Sequence, residues 1–174
     1  LSCGKNHTVL VTENGRSFTC GSNAMGQCGI GELKTKDKGT IQTPMQAVVT
    51  KCSNAVCGSD FTVWLCDGKL FAAGCPQYGV LGDGSNHEYN ANDSKAEFRR
   101  RIADGEKTGS VKMKFDPEPT PKLVKALESR QIIRVIAGAY HIMAVDSDGI
   151  PYTWGNGAAC TFGFLADIIS KVIM

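Results

Sequence analysis

The sequence has 174 residues and a formal net charge of +2 at pH 7. This length predicts one compact domain, and a net charge so close to zero does not indicate nucleic acid or a membrane surface as a partner. The apolar segment 162–174 is interrupted by Asp167 and Lys171 and is too short to span a bilayer, so we expect no association with a membrane.

The first predicted element is a β-hairpin. Two short apolar runs, 9–11 and 17–20, flank the pair Asn14-Gly15, and Asn-Gly between such runs is a strong hairpin signal. Pro44 then opens another short strand. Because Pro lacks a backbone N–H group, we expect this strand at the edge of a sheet.

The same arrangement recurs twice further along the chain. Each copy begins with one glycine and reaches a second glycine 16 or 17 residues later, after a hairpin with its own glycine turn. The first two copies then end in the pattern G-x-x-G-x-G. The recurring positions, which we interpret as structural, are Gly4, His7, Gly15, Gly21, Gly26, Gly58, Gly68, Gly74, Gly79, Gly138, His141, Gly149 and Gly155.

These repeats predict the fold class. Internal repeats of roughly 40 to 50 residues with several short strands are typical of β-propellers. We therefore predict an all-β fold, a partial β-propeller of about three four-stranded blades. Each blade should contain the Pro strand, the strand that enters the first glycine and the two hairpin strands. Because propellers generally need about four to eight blades, we expect the sequence to be part of a longer protein.

The predicted organisation has five segments. They are a first repeat (1–55), the core of a second repeat (56–84), a polar insertion (85–120), a third repeat (121–157) and a divergent tail (158–174).

The polar insertion carries the candidate partner-binding residues. It is rich in Asn, Asp, Lys and Arg, and its cations are balanced by nearby acidic residues. Both a solvated, partly disordered loop and a partner-binding excursion fit this composition. The basic residues assigned to the second alternative are Arg99, Arg100, Arg101, Lys112 and Lys114.

The histidines and cysteines of the repeats are predicted to be structural. A catalytic His would have no reason to recur in two copies, whereas a structural His that bonds a neighbouring group would. Three of the cysteines take positions that Ala, Leu or Trp occupy in other copies, which is typical of buried, free thiols. No C-x-x-C pair is present, so we predict no metal site and no disulfide. Reduced thiols would favour the cytosol or nucleus.

Together the repeat motifs resemble those of the regulator of chromosome condensation repeat family. The matching motifs are Gly-x-x-His-Thr at 4–8, the Asn-Gly and Asp-Gly turns, Trp-Gly-Asn at 154–156 and Gly-Gln-x-Gly-x-Gly at 26–31. The resemblance extends to Gly157 and implies a seven-bladed propeller. Segments 3–8, 23–27 and 74–79 and the long insertion are similar to the second, mitotic member of this family. Departures from the pattern are Cys20 in place of an aromatic residue, Phe61 in place of His and Ile142 in place of Thr.

The resemblance also implies a function. It implies an interaction module without catalytic, cofactor-binding or metal-binding residues, which binds a small GTPase, with microtubules and chromatin as further partners in cell division. The alternative is a guanine nucleotide exchange factor for a Ran-type or Rac-type GTPase. Exchange needs no covalent chemistry, only preferential binding to one state of the GTPase, so a missing catalytic motif does not separate the two. The expected location is the nucleus and cytoplasm, with chromosomes or the spindle in mitosis.

Overall fold

A computed structural model describes residues 1–33, 39–84, 88–90 and 113–157. Within these ranges the strands form two antiparallel sheets of four strands, one of three strands and a two-stranded ribbon. Each of the three larger sheets corresponds to one copy of the sequence repeat. The fold is a partial β-propeller, which confirms the predicted fold class.

The first blade is a sheet whose strands lie side by side in sequence order. Its strands are β1 (Ser2–Cys3), β2 (His7–Val11), β3 (Ser17–Ser22) and β4 (Thr40–Gln46). The predicted hairpin joins β2 to β3, and Gly15 in its turn has a φ of +76°. An L-residue with a side chain rarely adopts this conformation, which explains the glycine.

The insertion interrupts the second blade in the sequence, between its third and fourth strands. It begins with β5 (Cys52–Cys57), β6 (Phe61–Cys66) and β7 (Lys69–Gly74), which are followed by a 3-10 turn at Gln77–Gly79. The insertion contributes the ribbon of β8 (Glu88–Asn90) and β9 (Met113–Phe115). The chain then returns as β10 (Glu118–Leu123), which pairs with β7.

The third blade follows a 3-10 turn at Lys125–Leu127. Its strands are β11 (Ile132–Ala137), β12 (His141–Asp146) and β13 (Pro151–Gly155). In the described part of the chain it therefore has three strands, whereas the two other blades have the predicted four. The divergent tail, 158–174, lies outside the described residues.

The Pro strands belong to a different blade from the one we predicted. We expected each to join the strand that follows it, but β4 pairs with β3 and β10 pairs with β7. Each Pro strand therefore closes the preceding blade. Both are edge strands, as the missing N–H group of Pro predicts. The G-x-x-G-x-G loop causes this arrangement because it turns the chain back alongside its own hairpin.

The insertion contains more regular structure than its polar composition indicated. The ribbon and the start of β10 all fall within 85–120, and residues 91–112 lie outside the described part. Both ribbon strands carry an aromatic residue, Tyr89 or Phe115, and aromatic residues favour strands. Composition over the whole segment obscured these short runs.

The hydrophobic core consists of two layers, one between each pair of neighbouring blades. Strand β6 of the central blade is buried on both sides, with Phe61 and Val63 in the layer shared with the third blade and Trp64 in the layer shared with the first. The Trp64 indole N–H donates to Ser17 Oγ at 2.8 Å, across the first junction. At the second junction, Trp154 donates to the carbonyl of Val80 at 2.9 Å. Blade packing thus supplies the apolar burial that drives folding.

Candidate partner-binding face

Each blade has a tight turn just before its second strand, and this turn explains the first glycine of the repeat. In all three blades the N–H of this glycine donates to the carbonyl of the residue three positions later at 2.9 Å. The side-chain ring of that later residue lies over the glycine. A Cβ at Gly58 would be 2.0 Å from Phe61 Cε1, and one at Gly4 would be 2.2 Å from His7 Cε1. The first glycine is therefore required by the ring packed on it.

The second glycine of each copy packs against the same turn from the other side. Gly74 has a φ of +124°, and a Cβ there would lie 2.5 Å from both the carbonyl oxygen of Asp60 and the Cα of Phe61. Gly21 and Gly155 have positive φ angles as well and make equivalent close contacts. Glycine is thus required here for two independent reasons, a left-handed backbone and a close approach of two chains.

His7 joins the first blade to the second. It is 3% exposed, and its Nε2 lies 2.9 Å from Thr62 Oγ1. Thr62 donates its own hydroxyl proton to the carbonyl of Gln27 at 2.7 Å, so His7 Nε2 must carry the proton and donate. Burial lowers the pKa of His7, while the carboxylate of Asp60 acts in the opposite direction. His7 is therefore a neutral residue that connects the two blades by a hydrogen bond.

Two departures from the family pattern occupy the equivalent positions one blade later. Phe61 replaces the His and Ile142 replaces the Thr, and both are buried in one hydrophobic cluster. The polar pair of the first junction has therefore become an apolar pair at the second. Replacing both partners of a buried hydrogen bond by apolar groups costs little, whereas replacing one leaves the other unsatisfied.

We expect Thr62→Ile to destabilise the chain by about 1–3 kcal/mol because His7 and the Gln27 carbonyl lose their partner. His7→Phe in the same chain should recover part of that loss, since it reproduces the apolar pair of the next junction. A double-mutant cycle by urea denaturation measures this coupling, and strictly additive losses would contradict it.

The free energy of unfolding of the wild type should fall as the pH drops below about 6.5, because His7 can take up a proton in the unfolded chain more readily than in the folded one. His7→Phe lacks this contribution, so its stability should depend less on pH in this range.

Backbone hydrogen bonds connect the three turns to one another. Lys5 N–H donates to the carbonyl of Ser59 at 3.1 Å, and Ser59 N–H donates to the carbonyl of Ala139 at 2.9 Å. These residues are equivalent, each immediately after the first glycine of its copy. The turns therefore form one continuous, hydrogen-bonded row across the three blades.

This row lies at the end of the blades from which the long segments also leave. His7 pairs with Gly21, and Gly74 pairs with both Phe61 and Glu118, so segments 23–33 and 75–84 begin at this end and the insertion returns to it. The hairpins turn at the opposite end. We call the three turns together with 23–27 and 75–80 the loop face.

The loop face exposes two tyrosines that the repeat pattern did not identify. Tyr78 and Tyr140 are each 44% exposed, and their ring centroids are 5.6 Å apart in an edge-to-face arrangement. In the first copy their positions are held by Met25 and Asn6. A search for residues that depart from the repeat would have found them.

Of the predicted partner-binding residues, the structure describes one. Lys114 lies on β9 and is exposed, in the insertion that ends where Glu118 pairs with Gly74. Arg99, Arg100, Arg101 and Lys112 lie outside the described residues. Their role in binding remains a prediction.

The cysteines correct one prediction. Cys52 and Cys66 form a disulfide between β5 and β6, whereas we expected every cysteine to be free. The two residues are direct partners in the antiparallel register, which brings their side chains together. The comparison of copies used other cysteines and did not test this pair. A disulfide also removes the free-thiol argument for a reducing compartment.

Cys28 and Cys57 are free and buried, as predicted, and Cys20 is free and half-buried. Burial raises the pKa of Cys28 to about 11 and also raises the pKa of Cys57. These thiols are therefore protonated at neutral pH and behave as small apolar side chains.

The part of the chain that the structure describes contains neither a candidate metal site nor a candidate membrane span. No three His, Cys, Asp or Glu side chains there are placed to share a metal ion. No helix there has the length and apolar character that crossing a membrane requires.

The architecture and the glycine-dependent turns define a β-propeller built from internal repeats. Two family models match the sequence, over residues 1–27 and 67–145, and both describe the regulator of chromosome condensation (RCC1) repeat. The chain belongs to the RCC1 repeat family.

Individual relatives refine this relationship. The chain is 34% identical to the protein RCC2 homolog of Danio rerio over 90% of its own length and 30% of the relative's. It is 30% identical to human protein RCC2, again over 90% of the chain. It is 26% identical to the mouse secretion-regulating guanine nucleotide exchange factor over 90% of the chain and 27% of the relative. The chain thus spans under a third of the length of these relatives.

Solved structures agree on the fold. Human WBSCR16 matches with a TM-score of 0.66 and 20% identity, over 92% of this chain and 35% of that one. Prp20p of Saccharomyces cerevisiae, described with its binding properties to Gsp1p and histones, matches with a TM-score of 0.61 and 21% identity, over 89% of this chain and 32% of that one. At these identities the likeness establishes the fold.

Proposed function

We propose that this chain is part of a propeller-type interaction module that binds a small GTPase through its loop face. The observation that carries the proposal is the contrast between the recurring and the non-recurring residues of that face. The recurring His7 and glycines make contacts within and between blades, so they serve the fold. Tyr78 and Tyr140, which do not recur, are exposed there, and Lys114 is exposed on the insertion that returns to this end.

This distribution fits binding rather than covalent chemistry. A hydrogen-bonded row of turns gives a rigid base, and loops on a rigid scaffold are where binding residues concentrate. Exposed tyrosines are enriched at protein interfaces because they bury a large area with little loss of conformational entropy. The resemblance and the name of the secretion-regulating guanine nucleotide exchange factor favour a GTPase as the partner.

The second candidate function is nucleotide exchange on a Ran-type or Rac-type GTPase. The relative named a secretion-regulating guanine nucleotide exchange factor favours it, since its similarity covers 90% of the chain. An exchange factor must bind the nucleotide-free GTPase more tightly than the nucleotide-bound form, because only differential affinity shifts that equilibrium. A plain interaction module has no such requirement.

The two functions can be separated in one set of experiments. Binding of the chain to purified Ran-type and Rac-type GTPases is measured with GDP, with a GTP analogue and without nucleotide, and release of a fluorescent GDP is followed in parallel. Binding without faster release supports the module. Faster release together with preference for the nucleotide-free form supports exchange. Absence of binding in all three states would reject both.

A pair of charge reversals tests whether the loop face is used. Lys114→Glu changes an exposed lysine of the insertion, and Lys51→Glu changes an exposed lysine near the hairpin end, where the neighbouring Cys52 N–H bonds the Gly15 carbonyl. Binding through the loop face should weaken only in Lys114→Glu. Equal weakening in both variants would indicate a general charge effect.

Microtubules and chromatin are further proposed partners, with a location in the nucleus and cytoplasm and on chromosomes or the spindle in mitosis. This part of the proposal rests on the resemblance to the mitotic member of the family. Co-sedimentation with microtubules and with nucleosomes, and imaging of the tagged chain through mitosis, would test it.

A further inference from the structure

The hairpin ends of the second and third blades are closed by different chemistry. At this end of the second blade Cys52 pairs with Cys66, and the disulfide joins them. At the same position of the third blade Ile132 pairs with Asp146. The Asp146 carboxylate accepts two backbone N–H groups of the turn and the Tyr152 hydroxyl, which lies 2.8 Å away. The fold of the repeat therefore does not require a disulfide at this position.

The disulfide lies at the contact between the first two blades. The Cys52 N–H donates to the carbonyl of Gly15, in the hairpin turn of the first blade, at 3.0 Å. A Cβ at Gly15 would lie 3.0 Å from Lys51 Cα, so the two backbones approach closely. Both cysteines belong to the buried layer between these two blades, which includes Trp64, and neither belongs to the layer between the second and third blades. A change at the disulfide therefore acts first on this junction.

A cleft gives a reductant access to the disulfide. Cys66 is buried, but it lines a cleft of about 190 Å³, which has room for the thiol end of a reductant. Val48, another of its lining residues, is 54% exposed, so the cleft opens to solvent. The remaining lining residues are Val49, Thr50, Phe71 and Pro121. None of the six carries a charge, so a thiolate that enters the cleft meets no like charge on its walls.

We infer that the Cys52–Cys66 disulfide is a redox switch, and that its reduction loosens the junction between the first two blades. Disulfides are rare in the cytosol and nucleus, and those that occur there usually sense redox state or take part in catalysis. This step rests on the location given under the proposed function. The third blade, which a carboxylate closes, has no corresponding response to a reductant.

Reduction is a thiol–disulfide exchange with a dithiol reductant. One thiolate of the reductant attacks Cys66 Sγ, the S–S bond breaks, and Cys52 leaves as a thiolate that takes up a proton. The second thiolate of the reductant then attacks the reductant's own sulfur in the mixed disulfide and releases Cys66, which is protonated in turn. The reductant ends as a disulfide. Two electrons and two protons have then passed from it to the cysteine pair.

Reduction changes the packing at the junction. Two thiols need more room than a disulfide because their sulfur atoms are no longer within bonding distance. The layer around them is close-packed, so β5 and β6 must separate at this end. The hydrogen bond from Cys52 to Gly15 is then disturbed, since Cys52 is the first residue of β5.

The two tryptophans of the chain report on the two junctions separately. The Trp64 indole N–H donates across the first junction and the Trp154 indole N–H across the second. Exchange of the two indole protons in D2O is followed by NMR, with and without dithiothreitol. We expect reduction to speed exchange at Trp64 by about tenfold or more and to leave exchange at Trp154 nearly unchanged. Equal acceleration at both indoles would indicate a loss of global stability alone, and it would overturn the inference, as would no acceleration at Trp64.

Variants assign the response to the pair. With Cys52→Ser and Cys66→Ser combined, exchange at Trp64 should be the same with and without dithiothreitol. Cys3→Ser, which changes a free and exposed cysteine, should respond like the wild type. A response that persists in the double variant would come from other thiols and would refute the switch. In the wild type, re-oxidation should restore slow exchange at Trp64; exchange that stays fast would contradict a reversible switch.

A switch must also respond under the redox conditions of the cell. The wild type is equilibrated in buffers of reduced and oxidised glutathione, and free thiols are alkylated and counted by mass spectrometry. We expect the reduced fraction of the Cys52–Cys66 pair to change within the range of glutathione ratios found in the cytosol. A pair that stays fully oxidised or fully reduced throughout this range would overturn the inference.

Failure of this inference is distinguishable from failure of the proposed function, because the tryptophan measurement involves no partner. If Trp64 responds to reduction but no GTPase binds, the switch stands and the proposed function does not. If a GTPase binds and Trp64 does not respond, the proposed function stands and the switch does not.

Discussion

Gly74→Ala is expected to destabilise the chain by about 2–5 kcal/mol, which is a large part of the stability of a typical domain. The backbone at Gly74 has a φ of +124°, and the new methyl group would lie 2.5 Å from the Asp60 carbonyl oxygen and from the Cα of Phe61. Both neighbours are backbone atoms, so the clash cannot be relieved by a side-chain rotation. The turn and the hairpin must separate. Urea denaturation followed by circular dichroism measures the loss.

Gly79→Ala is the matched control for this prediction. Gly79 has a φ of +68°, but a Cβ there would meet nothing within 4 Å. It should therefore cost only the left-handed conformation, about 1–2 kcal/mol. If both variants lost the same stability, the close approach of chains at Gly74 would have no measurable role.

Loss of the Cys52–Cys66 disulfide is expected to lower stability by about 3 kcal/mol. The bond closes a loop with a sequence separation of 14, and opening it increases the conformational freedom of the unfolded chain. Denaturation with and without a thiol reductant, and of Cys66→Ser, measures the effect. Cys3→Ser, which changes a free and exposed cysteine, is the control and should retain wild-type stability.

The existence of the bond can be checked separately from its energetic effect. After denaturation, alkylation should modify two fewer thiols before reduction than after it. The same number of alkylated cysteines under both conditions would show that the pair is not bonded.

The repeat made most of the architecture predictable. Three copies with the same glycine positions identified the propeller, because a recurring glycine indicates a recurring backbone conformation that needs glycine. The edge position of the Pro strands followed from the chemistry of Pro44. Their assignment to a blade did not, since it depends on the direction in which the preceding loop turns.

Contacts between residues that occur in one copy alone were not predictable by comparing copies. The tyrosine pair needs Tyr78 from one blade and Tyr140 from the next, 62 positions later. Only the packing of blades brings them together. The disulfide was missed for a related reason, since the register of β5 against β6 decides which cysteines face each other.

The pairing of each Pro strand with the blade before it has a practical meaning for engineering. A module cut just before Pro44 would split β4, the outer strand of the first blade. The join between complete blades lies between Gln46, which ends β4, and Cys52, which begins β5. Transplanted or circularly permuted pieces that start at this join would keep each four-stranded sheet whole.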